Sequence, residues 1–156
     1  MTIAVRFEGI RVGAFAKDWR AAIRLAGDLL VAQGAVSRAY ASAMEQIIEE
    51  AGPYCVVAPG LAMPHARPGP WVSSCSIAVL VLASPVRFGV PRNDPVDVLV
   101  AFAAPDFSAH VDTLAELACL FTAPASLATI RRARFEAEIA ELFGGRPAAG
   151  PGASWQ

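Results

Sequence analysis

Ser74-Cys75-Ser76-Ile77-Ala78-Val79-Leu80-Val81-Leu82 is the stretch that decides the fold class. It is rich in strand-forming residues and apolar on both faces, which predicts a central strand. Val96 to Ala103 predicts a second buried strand, although it carries Asp97. Neither apolar run approaches the roughly 20 residues needed to cross a bilayer. A sheet buried on two sides needs cover on two sides, and the helical patterns elsewhere supply it. The class is therefore α/β, with helices on both sides of a sheet.

Before these strands, Ile10 to Phe15 alternates and predicts an edge strand. Asp18 can cap a helix in which Trp19, Ala22, Ile23, Ala26, Leu29 and Leu30 recur at helical spacing, with Gly34 at its end. Ser37 can cap a second helix with Tyr40, Met44, Ile47 and Ile48 inward and Glu45, Glu49 and Glu50 on a wet face, broken at Gly52-Pro53. Tyr54 to Ala58 predicts a strand, and the following stretch reads as a loop. From Pro85 to Pro95 the prolines and glycine predict a loop with room for a short strand.

After Val96–Ala103, Asp106 or Ser108 can cap a third helix presenting Leu114, Leu117, Ala118 and Phe121. A short fourth helix starts at Pro124 and runs to about Arg131. A fifth covers Phe135 to Phe143. One domain over residues 1–144 is expected, with a flexible Gly/Pro/Ala-rich tail over 145–156.

The whole chain has 156 residues, is 55% hydrophobic and carries a net charge of −1. Length and apolar content suit one domain with a substantial core. Near-neutral charge without a basic stripe argues against nucleic acid. The one dense basic cluster, Arg131, Arg132 and Arg134, reads as a solvated helix face. Cys55, Cys75 and Cys119 are widely spaced in apolar surroundings, so they read as buried, reduced thiols in a cytosolic protein. No basic-then-apolar start suggests a signal peptide.

The chemistry concentrates in Pro59-Gly60-Leu61-Ala62-Met63-Pro64-His65-Ala66-Arg67-Pro68, which holds one of only two histidines. Prolines restrict the backbone on both sides of His65, so one imidazole is presented on a stiff turn. The other histidine, His110, falls in the first turn of the third helix, where free N–H groups can hold a phosphate. If the fold brings the two together, they form a phosphoryl-transfer site in which neutral His65 attacks phosphorus. His110 and the helix amides would then bind the phosphoryl oxygens. Arg67 can add a donor to that group or to an acidic partner. The bland alternatives are a loop histidine, a capping residue and a surface arginine. No ligand pair has metal-site spacing, so neither a metal nor a cofactor is expected.

Over about residues 10–143 the sequence resembles the enzyme IIA components of the bacterial phosphoenolpyruvate-dependent sugar phosphotransferase system (PTS), mannitol/fructose type, ascorbate-like branch. The decapeptide around His65 carries most of that resemblance, supported by Asp18-Trp19, Gly52-Pro53-Tyr54, Asp97 to Pro105 and His110 with Leu114 and Leu117. The resemblance implies a mixed β-sheet flanked by helices. It implies a cytoplasmic phosphotransferase in which His65 is phosphorylated, through Nε2, by the phosphocarrier HPr. A cysteine of a cognate IIB then receives the group, with an indirect link to a membrane IIC. His110 would support the phosphoryl group.

Mannitol-type members carry an arginine late in the second helix, where this chain reads Glu45-Gln46-Ile47-Ile48-Glu49-Glu50. Arg67 is the candidate to serve in its place. A regulatory phosphoprotein that moves no sugar shares the same site chemistry and remains the alternative. An apolar docking surface is expected around His65, with Leu61, Met63, Trp71 and Phe107 as candidates. The sequence leaves the oligomeric state open, a homodimer included.

Overall fold

The computed structural model describes residues 5–144. The expected tail, 145–156, lies outside the described residues. Five strands form one mixed sheet in the order β1-β4-β5-β3-β2. They are β1 (Ile10–Ala14), β2 (Val56–Ala58), β3 (Leu61–Ala62), β4 (Ser76–Val86) and β5 (Val96–Ala103). β1 runs parallel to β4 and β3 parallel to β5, whereas β4–β5 and β2–β3 are antiparallel.

Alternation along the two central strands sorts the core into two halves. Ala78, Leu80, Leu99, Ala101 and Ala103 face α1 (Trp19–Ala32) and α2 (Arg38–Ala51). Ile77, Val79, Val98, Val100 and Phe102 face the other way, toward Leu117, Ile130, Ile139 and Phe143. Those residues belong to α3 (Phe107–Phe121), α4 (Pro124–Arg132), α5 (Glu136–Leu142) and the turn after it. The sheet is covered on both sides, as the doubly apolar strands require.

Helix starts follow the expected caps. The Asp18 carboxylate accepts from Ala21 N–H at 2.8 Å, and the Asp106 carboxylate from Ala109 N–H at 2.8 Å. The Ser37 hydroxyl accepts from Tyr40 N–H at 3.4 Å. Each satisfies one otherwise orphaned donor of a first turn.

Several expectations need correction. The stretch read as a loop contains β3, because Leu61 and Ala62 are buried and pair with Val98 and Leu99. β2 is shorter than expected and begins at Val56. β4 runs on through Pro85 to Val86, which pairs with Val96. The proline is tolerated because the register is irregular between Val81 and Val86. On α3 only Thr113 and Leu117 are buried, whereas Leu114 and Ala118 are exposed. Cys119, on that same helix, is also exposed, Cys75 is half-buried, and only Cys55 is fully inside.

Arg131 is not merely solvated. Its guanidinium grips both carboxylate oxygens of Asp97, at 2.7 and 2.9 Å. Glu45 and Glu49 pair with Arg24 and Arg20 between the first two helices. Among the described residues no single helix is long and apolar enough to cross a membrane.

Candidate active site

β3 and β5 are parallel neighbours, so both release the chain at the same end of the sheet. His65 follows β3 by three residues, and His110 follows β5 by seven. That topology brings together two histidines far apart in sequence. Their ring centroids are 5.3 Å apart. Clefts outside the carboxyl ends of parallel strands are the usual binding places of α/β sheets.

His65 is half-buried and held from several sides. Its ring stacks on Phe102 at 4.6 Å between centroids, with the planes 28° apart. Tyr54 meets it edge-on at 5.5 Å. Nδ1 lies 2.9 Å from the Met63 carbonyl oxygen. A carbonyl can only accept, so Nδ1 carries the hydrogen and the lone pair stands on Nε2. Burial lowers the His65 pKa from its ordinary 6.5, and nearby His110 adds to the lowering against the opposing Met63 hydrogen bond. The imidazole is therefore neutral at pH 7, with one nitrogen available as a nucleophile.

The backbone around it is pinned by side chains. The Tyr54 hydroxyl donates to the His65 carbonyl at 3.1 Å. Ala66 N–H donates to the Tyr40 hydroxyl at 3.0 Å, and Trp71 Nε1–H donates to the Arg67 carbonyl at 2.9 Å. Phe102 N–H donates to the Pro64 carbonyl at 3.2 Å.

An open hollow of about 580 Å³ lies over the pair. His65, Ala66, Arg67 and Pro68 form one wall; Ile47, Glu50 and Ala51 of α2 form another. Tyr54, Phe107 and His110 complete it. All three expected site residues, His65, His110 and Arg67, thus line one cavity. Arg67 is exposed, and Glu50 lines the wall in the helical segment where an arginine was sought. At the α3 N-terminus the Ala109 amide is already bound by Asp106, leaving the earlier amides of that turn without intrahelical partners.

Of the expected docking residues, Leu61 and Met63 are buried core and Trp71 is half-buried under the loop. Phe107 alone is open, at 73% exposure, and the apolar surface continues along α3 through Val111 and Leu114. Tyr40 and Tyr54 are site residues that sequence reasoning left as core and strand. The available signal was that a buried tyrosine hydroxyl needs a partner, which a nearby stiff loop can provide.

Three comparisons bear on this arrangement. Residues 6–144 match the family model described as "Phosphoenolpyruvate-dependent sugar phosphotransferase system, EIIA 2". The chain is 37% identical over 137 residues to a Shigella boydii protein named ascorbate-specific PTS system EIIA component, covering 87% of this chain and 89% of that one. Among solved structures, the mannitol-specific cryptic phosphotransferase enzyme IIA CmtB from Escherichia coli superposes with a TM-score of 0.78 at 29% identity, covering 87% of this chain and 92% of that one. The Escherichia coli complex of enzyme IIAMTL and phosphorylated enzyme IIBMTL shares the fold, with a TM-score of 0.75 at 24% identity over 89% of this chain and 96% of that one.

Proposed function

Because the chain belongs to the phosphoenolpyruvate-dependent sugar phosphotransferase system EIIA 2 family, we propose that His65 is its phosphorylated residue, relaying a phosphoryl group from HPr to a IIB cysteine for uptake of ascorbate or a related sugar. The observation that carries this reading is the 2.9 Å approach of His65 Nδ1 to the Met63 carbonyl oxygen. With Nδ1–H committed to the Met63 carbonyl, Nε2 is the nitrogen whose lone pair faces a partner. As Nε2 bonds to phosphorus, the donor's bond to the same phosphorus breaks. Positive charge growing on the ring is shared with the Met63 carbonyl through Nδ1–H. In the second step a IIB thiolate sulfur attacks phosphorus, the Nε2–P bond breaks and neutral His65 returns.

In this reading His110, whose ring centroid is 5.3 Å from that of His65, donates to the phosphoryl oxygens. Arg67 on the open wall supplies the positive side chain. Phosphoryl transfer depends mainly on position and charge, so this small set suffices. HPr and IIB dock in turn on the apolar rim of Tyr54, Phe107, Val111 and Leu114. A hydroxyl of the sugar held by a membrane IIC takes the group as the S–P bond on IIB breaks, while this chain works in the cytoplasm. The naming of the curated relatives favours transport over a purely regulatory role.

The test is incubation with enzyme I, HPr and phosphoenolpyruvate. Wild-type protein gains one acid-labile phosphate and passes it to the cognate IIB, and His65→Ala gains none. Label retained by His65→Ala would overturn the assignment. Reconstitution with IIB and membrane IIC then reads ascorbate phosphorylation directly.

A further inference from the structure

We propose that Tyr40 is the positioning residue for the nucleophile, its single hydroxyl fixing the His65 loop against the strand that carries the Phe102 platform. Tyr40 sits in the first turn of α2 and is fully buried. Its oxygen accepts from Ala66 N–H at 3.0 Å and donates to the Phe102 carbonyl at 2.8 Å. The Ala66 carbonyl, at 3.4 Å, is the longer and weaker alternative for the same proton. Ala66 is the residue after the nucleophile, and Phe102 is the residue whose ring stacks on the nucleophile's imidazole. One oxygen therefore ties the backbone on both sides of that stack.

Neighbouring contacts make Tyr40 more than a space-filler. Its ring meets Trp71 edge-on at 5.6 Å, and Trp71 holds the Arg67 carbonyl. Burial pushes the Tyr40 phenol up to about 12, so it remains a donor throughout the working pH range. The Nδ1–H bond to Met63 needs the imidazole at a fixed height and tilt. A loop freed at Ala66 can rotate at His65, which weakens that bond and lets the proton move to Nε2. A protonated Nε2 has no lone pair for phosphorus. Catalytic groups must be held within about half an ångström of productive geometry by such supporting bonds.

The proposal rests on His65 Nε2 as the acceptor, and its test separates the two. Tyr40→Phe removes one oxygen and keeps the ring. In the folded variant, phosphorylation of His65 by phospho-HPr should slow at least tenfold, in kcat rather than in the KM for HPr. Nitrogen-15 spectra of the His65 ring, which need no phosphoryl donor, should change from the single Nδ1–H tautomer of the wild type to a mixture. A folded Tyr40→Phe protein that keeps either the wild-type rate or the single tautomer overturns the proposal. Wild-type protein that takes no phosphate would instead sink the reading of His65.

If Tyr40→Phe does not fold, a second route exists because the chain has only two tyrosines. In a Tyr54→Phe background, 3-fluorotyrosine enters position 40 alone and weakens the oxygen as an acceptor without deleting it. Compared with the unlabelled Tyr54→Phe protein, transfer should slow and the tautomer signal shift in the same direction. No change in either would overturn the proposal.

Discussion

Gly60→Ala tests how the loop that carries His65 is anchored. Gly60 has φ +76°, in the left-handed region. Its N–H donates to the Asn93 carbonyl at 2.9 Å, and its carbonyl accepts from Asp97 and Val98 N–H, each at 3.1 Å. The backbone is thus fixed on both sides and cannot flip to relieve a side chain. An alanine there costs about 1–2 kcal/mol in backbone conformation alone. The new Cβ would also collide with Arg131 Nη2 and lie 2.9 Å from Asp97 Oδ1.

Those two atoms are side-chain tips and can swing away at the expense of their ion pair. The pair is partly exposed, at 40% and 24% for its side chains, so its loss is worth at most about 1 kcal/mol. The backbone contribution therefore dominates. The sum is about 1–3 kcal/mol, or roughly 2–12 °C in Tm for a chain of this size. Thermal and urea unfolding of Gly60→Ala, Arg131→Ala and the double variant measure it. In the Arg131→Ala background the glycine substitution should cost only its backbone share, about 1–2 kcal/mol. A loss below about 0.5 kcal/mol in the wild-type background would refute the left-handed conformation. An equal loss in both backgrounds would refute the crowding by Arg131.

Other outcomes follow from the same site. The His65 pKa is lowered by folding, so the unfolded chain binds more protons between the lowered value and 6.5. Stability should therefore fall as pH drops from above 6.5 through that window, and His65→Gln should flatten the slope in a urea series. Phosphorylation rate should hold its plateau to below pH 6.5 before declining, and an inflection above that value would contradict the buried neutral ring. His110→Ala should slow transfer from HPr on the order of a hundredfold while costing less than about 1 kcal/mol of stability. Unchanged kinetics would remove it from the site. Arg67 is exposed, so Arg67→Ala should leave Tm within about 0.5 kcal/mol equivalents yet slow phosphate acceptance. An unaltered rate would leave the arginine without a role in transfer.

Most of the fold was legible because local chemistry and global packing agree. Ser76–Val81 and Val96–Ala103 are apolar on both faces and do lie at the centre of the sheet. Asp18, Ser37 and Asp106 start helices where their side chains predict. What failed depends on tertiary pairing. Leu61-Ala62 is too short to announce a strand between a glycine and a proline, and only β5 beside it makes it one. The exposed turns of α3 were misread because an apolar residue says it can be buried, not that it is. In the site, the two histidines and Arg67 stood out by type and spacing. Tyr40 and Tyr54 did not, because their hydroxyls act through backbone groups whose positions emerge only once the loop has folded.

The parallel pairing of β3 with β5 makes the short span from Ala62 to His65 a molecular ruler. Side chains along an extended segment alternate, so adding or deleting one residue there would turn the imidazole toward the wrong layer. Length variation among homologous chains should accordingly be absent between Ala62 and His65.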